Sequence, residues 1–209
     1  MNHQRQWLDY VRRLHALAST GLHFGASEFD RERYAEMGEI AQQMMADLAD
    51  QPVHAIPELF PGYGTHYATP MVDVRGAIFS DQGILLVKEK SDQRWTLPGG
   101  YADVGRSAGE NVIKEICEEA GLHVSVAKLF AIRHKAKHDY DPDLRDFYKF
   151  FFLCDWDQNQ VAAPGDETSE VGFFGLDQLP TLSTGRVTQK DIELAFEHAA
   201  DSQLDPSVD

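Results

Sequence analysis

Cysteine is scarce in this chain, with only Cys117 and Cys154 among 209 residues, so no framework of disulfides can be built and an apolar core has to hold the fold together. Positive charge is scarce too: 19 Lys and Arg stand against 34 Asp and Glu, a formal net charge of −15. Nucleic acids and anionic membranes are bound largely through Lys and Arg, so neither DNA nor a membrane is an expected partner. Long apolar runs are missing. The opening stretch, MNHQRQWLDYVRRLHALAST, carries Asp9, Arg12 and Arg13 through its middle, which argues against a signal peptide or a membrane span and makes the cytoplasm the expected location. No repeat or low-complexity tract is visible. What is present is 43% hydrophobic residues, enough for one large domain or a domain with an appendage.

Residues 4–20 place Trp7, Leu8, Val11, Leu14, Leu17 and Ala18 at helical spacing, with Gly21 expected to close the helix. Ser27 is a candidate N-cap for a second helix, whose stripe runs from Phe29 through Met37, Ile40, Met44 and Leu48 to Asp50. Two helices cannot bury both stripes by themselves, so the hairpin has to pack on the following domain, on a second copy of the chain, or on both. A homodimer is the expectation. Residues 51–69, rich in Pro and Gly, read as a linker, which divides the chain into a helical hairpin at 1–50 and a main domain at 70–209.

The main domain opens on a strand over 72–79, with Val72, Val74, Gly76 and Ile78 on one face and Asp73, Arg75, Ala77 and Phe79 on the other. Further strands are expected at ILLVKEK, Val124–Arg133, Tyr148–Trp156 and Val171–Phe174, and Thr188 caps a last helix through Ala199 with Asp191 at its third position. Strands outnumber helices and one helix interrupts them, an α/β sandwich pattern.

That helix follows a tight turn in WTLPGGYADVGRSAGENVIKEICEEAGL. Pro98, Gly99 and Gly100 make the turn, and Val112, Ile113, Ile116 and Ala120 form the packed stripe. Glu115, Glu118 and Glu119 stand at i, i+3 and i+4, so like charges share the rim of that stripe and call for a cation. Carboxylates with a nearby backbone carbonyl suit a hard divalent ion, magnesium first.

The spacing resembles the Nudix box, G-x5-E-x7-R-E-U-x-E-E-x-G-U with U apolar. Gly100, Glu115, Ile116, Glu118, Glu119, Gly121 and Leu122 match; Arg106 stands where the pattern has Glu, and Lys114 where it has Arg. The helical extension, LLVKEK, RWTLPGGYADVG, FFFLC and LSTGRVT look like a subgroup of ADP-ribose or CDP-choline pyrophosphatases. The resemblance implies an α/β/α sandwich with a mixed sheet, and hydrolysis of the diphosphate in a nucleoside diphosphate linked to another group. It implies Mg²⁺, with Mn²⁺ as a substitute, on Glu115, Glu118, Glu119 and the Gly100 carbonyl. A later loop, GDETSE, offers Glu167 as a further base or ligand. Arg75, His138, Lys149 and Arg186 are candidate contacts to the substrate's phosphates, and Asp103 is expected to play a supporting part. Arg106 and Lys114 are expected to repel, with Glu110 compensating from four residues before Lys114. The alternative reading is a weakened domain that binds a nucleotide and acts as a sensor.

Overall fold

The computed structural model describes residues 3–209, and the chain divides into two compact units. One comprises the chain to Met71 together with Pro142–Asp146; the other comprises Val72–Asp141 and Phe147–Asp209.

The first unit is built on helices α1 (His3–Phe24) and α2 (Glu28–Ala49). Gly21 does not end α1, which runs on to Phe24; the glycine instead makes room for the Tyr34 ring, which packs where its Cβ would sit. Ser27 caps α2 by accepting from the Asp30 amide, and Asp50 closes it in the left-handed region at φ 51°. The Pro-rich stretch after α2 folds into two short 3₁₀ turns, Val53–Ala55 and Pro57–Leu59. Ile56 between them is 1% exposed and packs with Val11, Ala41, Met45 and Ala46, while Leu144 joins from the later segment. Arg12 ties that segment down by donating to the carbonyls of Asp143 and Arg145.

The second unit contains strands β1 (Met71–Ser80, of which Met71 belongs to the first unit), β2 (Gly83–Glu89) and β3 (Trp95–Thr96), helix α3 (Ala108–Ala120), then β4 (Val124–His134), β5 (Phe147–Trp156), β6 (Thr168–Phe174), helix α4 (Gln189–Ala200) and β7 (Ser207–Val208). The sheet runs β3-β2-β1-β5-β4-β7, with β6 also paired to β2. It is mixed: β1–β2, β2–β6 and β4–β5 are antiparallel, and β4–β7 is parallel.

Alternation along the strands decides the layers. Val74, Ile78, Leu85 and Val87 face α3 through Val112, Ile116 and Ala120, while Ala77, Ile84 and Leu86 face α4 through Ile192 and Ala195. The Phe run of β5 serves both cores, Phe152 on the α3 side and Phe151 on the α4 side. The result is the α/β/α sandwich expected from the sequence. Both helices start with capping boxes, Ser107 with Glu110 and Thr188 with Asp191.

Candidate active site

The turn Leu97–Gly100 is held against β1 by main-chain bonds, Val74 N–H to the Gly100 carbonyl at 2.8 Å and Gly76 N–H to the Pro98 carbonyl at 2.9 Å. Gly99 lies at φ +145°, and a Cβ there would stand 2.0 Å from the Val74 carbonyl oxygen, so only glycine permits this approach. Gly100 plays a similar part toward α3, since its missing Cβ leaves the space where Glu115 Oε2 sits.

The three helix glutamates are placed in graded depth. Glu119 is 5% exposed and its Oε2 accepts from Gly99 N–H at 2.8 Å; Glu115 is half-buried; Glu118 is exposed and pairs with Lys114 at 2.9 Å. Burial pushes the Glu119 carboxyl up to about 8, against the Arg75 charge and the Gly99 amide, with Glu89 and Glu115 adding repulsion. Glu115 is raised as well, again mainly by burial.

Glu89, at the end of β2, was not singled out in the sequence, where it reads as one letter in a charged strand end. It is 6% exposed, and burial raises its carboxyl against the charges of Arg186 and Arg75, while Asp92 and Glu167 add repulsion. A buried acid among other acids is visible only once β2, α3 and the 163–168 loop are assembled.

Among the basic candidates, Arg75 is buried and bidentate on Asp73, Nε to Oδ1 at 3.0 Å and Nη2 to Oδ2 at 2.8 Å, with Nη1 donating to the Leu97 carbonyl. Lys149, 2% exposed, donates to the same Asp73 at 2.6 Å. Burial alone would raise Asp73, but the two cations bring it down to about 2; burial and the Arg75 charge hold Lys149 down to about 8 despite Asp73. Arg186 bridges Glu89 at 3.3 Å and Asp92 at 3.0 Å. Arg75 and Arg186 therefore stand with the acids, Lys149 lies beneath them on Asp73, and His138 is placed on Asp209 at 2.7 Å instead.

Glu167 is exposed, and its backbone carbonyl accepts from Lys90 N–H. Its loop is fixed on the end of α3: Ala163 N–H donates to the Ala120 carbonyl, Thr168 Oγ1 to the Glu119 carbonyl, and a Cβ on Gly165 would stand 1.7 Å from the Glu118 carbonyl oxygen. These bonds use main-chain acceptors that the helix end leaves open.

The expected repulsion between Arg106 and Lys114 is relieved by a different residue from the one anticipated. Asp103 pairs with both, Arg106 at 3.6 Å and Lys114 at 3.3 Å, while Glu110 is committed to the capping box with Ser107. Asn111, fully buried, holds the Asp103 loop by accepting from the Asp103 amide and donating to the Asp103 and Ser107 carbonyls. A lone Asn on an amphipathic helix gave no signal of this in the sequence.

Two family models match the chain: a NUDIX domain over residues 69–195, and a UDP-X-like, N-terminal oligomerisation domain over residues 5–60. The chain belongs to the Nudix hydrolase family. A Bacillus subtilis (strain 168) protein with the provisional name ADP-ribose pyrophosphatase is 40% identical over 194 residues, covering 93% of this chain and 92% of that one. The crystal structure of a UDP-X diphosphatase covers 99% of both chains at 32% identity with a TM-score of 0.62. That of an ADP-ribose pyrophosphatase from Streptococcus suis 89-1591 covers 68% of this chain and all of its own, at 40% identity and a TM-score of 0.61. This Nudix chain is thus an enzyme of the pyrophosphohydrolase class, and no helix among its described residues is long and apolar enough to cross a membrane.

Nudix hydrolases work with a divalent metal ion. Among the described residues no three His, Cys, Asp or Glu side chains are gathered into a ready-made cage. The donor chemistry nonetheless fits a hard cation: Glu119 and Glu115 are carboxylates raised by burial, which is the condition a divalent ion relieves. The Gly100 carbonyl already accepts from Val74 N–H and keeps a second lone pair.

Proposed function

We propose that this enzyme hydrolyses the diphosphate bond of a nucleoside diphosphate linked to a second group, of the ADP-ribose or UDP-linked kind, and releases two phosphomonoesters. The observation that carries the reading is the buried Glu119, locked to the Gly99 amide beside Glu115 at a turn that only glycine can make. Mg²⁺ is the proposed metal, with Glu115, Glu118, Glu119 and the Gly100 carbonyl as its protein oxygens and Mn²⁺ as a substitute. When bound, such an ion offsets diphosphate charge and makes a coordinated water more acidic.

The chain's own residues set the rest. Glu119 is fixed at one oxygen by Gly99 N–H, which leaves its other oxygen as the free donor. Arg186, held by Glu89 and Asp92 on a partly exposed side chain, is the proposed phosphate contact, because a guanidinium matches phosphate oxygens in bidentate fashion. Arg75 contributes its charge beside the acids while Asp73 fixes its orientation. Glu167 is the proposed base, brought beside the acids by the loop docked on α3.

The N-terminal unit leaves Trp7, Tyr10, Leu17, Phe24, Phe29 and Ile40 exposed, apolar surface that supports a homodimer through the hairpin. Domain limits of 1–50, 51–69 and 70–209 and a cytoplasmic setting complete the proposal. Assaying ADP-ribose, UDP-sugars, CDP-choline and diadenosine polyphosphates with Mg²⁺ tests it, with products separated by chromatography. Two phosphomonoesters from one of these are expected; release of inorganic phosphate alone, or no turnover of any, overturns it.

A further inference from the structure

The first unit contains a cavity of about 390 Å³ that the hydrolytic reading does not use. Its size is that of a small-molecule site. The wall combines Arg12, the rings of His15, Phe60 and Tyr63, the small Ala16 and the apolar Leu144. His15 lies between Phe60 and Tyr63 with ring centroids 4.3 Å from each, so the aromatic wall is preassembled. Among the described residues Arg12 meets only main-chain carbonyls, at 3.2 and 3.4 Å from Nη1, and forms no ion pair with a carboxylate. A guanidinium carries five N–H donors, so with Nη1 engaged Arg12 keeps three donors for a ligand in the cavity. Arg13, Arg145, Asp9 and Asp146 also line the cavity, so three cations stand against two acids there, in a chain of net charge −15. The wall is rigid behind its surface as well, since the Tyr63 hydroxyl is packed against Gly38 of α2, where a Cβ would sit.

We propose that this cavity is a second binding site, for a small anion carrying a flat ring, of the mononucleotide class. The phosphate pairs with Arg12 and the ring lies along the His15, Phe60 and Tyr63 wall. The site is built from residues of the first unit alone and takes no part in bond cleavage.

Calorimetric titration of the full chain with AMP and with UMP, in the presence of a metal chelator, tests this. The expected result is saturable binding that weakens tenfold or more in Ala16→Phe, which fills the cavity, and in Arg12→Gln, while Glu119→Gln binds as the parent does. Ala16→Phe keeps the parent's turnover of the diphosphate substrate. Absence of saturable binding in the parent overturns the proposal. So does binding that survives Ala16→Phe unchanged or that Glu119→Gln removes, since either result places the nucleotide elsewhere. The outcome is independent of which diphosphate the enzyme cleaves.

Discussion

Gly99 N–H and Glu119 Oε2 are joined across 2.8 Å, so the turn that precedes the helix and the deepest acid of the helix set each other's position. The turn cannot take a side chain at Gly99, and the acid cannot relax toward solvent without leaving an amide unpaired.

Beneath this pair, Asp73 holds two buried cations at once. Asp73→Asn removes the charge that Arg75 and Lys149 share and is expected to destabilise the fold by about 3–5 kcal/mol, as breaking buried ion pairs does. Adding Lys149→Met to Asp73→Asn should restore part of the loss. Chemical denaturation of the single and double variants checks both statements, and equal losses would contradict the shared-charge account.

Stability should fall in mild acid because of His15. Burial holds the folded imidazole down to about 4 from its ordinary 6.5, so between those values the unfolded chain binds a proton that the folded chain does not. The contribution is intact above about pH 6.5, declines as pH drops toward 4 and levels off below. His15→Phe keeps a ring between Phe60 and Tyr63 and should flatten the stability profile over that window. Thermal unfolding across the range measures it, and an unchanged slope in the variant would assign the acid sensitivity to other groups.

The loop carrying Glu167 depends on Gly165. With a Cβ 1.7 Å from the Glu118 carbonyl oxygen, Gly165→Ala has to lift the loop or shift the end of α3, costing about 1–3 kcal/mol and lowering kcat. Gly109→Ala, whose Cβ meets only Val126 at 3.7 Å within a helix, should be neutral or slightly stabilising. Denaturation and turnover of both variants decide between packing at the loop and a general intolerance of change.

Arg106 is a surface partner of Asp103 at 3.6 Å, and surface pairs contribute little. The parent should therefore be active as it stands, and Arg106→Glu should change kcat by less than about tenfold. Activity that appears only in Arg106→Glu would mean that this loop, and not the helix acids, limits the enzyme.

Local periodicity made much of this legible. Alternation in 72–79 placed Val74 and Ile78 against one helix and Ala77 against the other, and the cap at Thr188 with Asp191 at its third position announced α4. The spacing of Glu115, Glu118 and Glu119 announced their shared face, but not their different depths, because depth depends on what packs over α3. Long-range pairings left no trace in the sequence. Asp73 with Lys149 spans 76 positions, and the Glu89 and Arg186 pair joins a strand end to a loop nearly a hundred residues later. The short β7 was missed for the same reason, since two residues gain strand form only by pairing with β4. Gly21 misled because a glycine also serves where a neighbouring ring comes close, as Tyr34 does there.

The central claim is that Glu119 acts on the reaction and not on the fold. Glu119→Gln keeps an oxygen for the Gly99 amide, so the thermal midpoint should stay within a few degrees of the parent while Mg²⁺-dependent hydrolysis of the diphosphate substrate falls by at least about a thousandfold. Hydrolysis that persists at the parent rate in a folded Glu119→Gln protein would contradict the account.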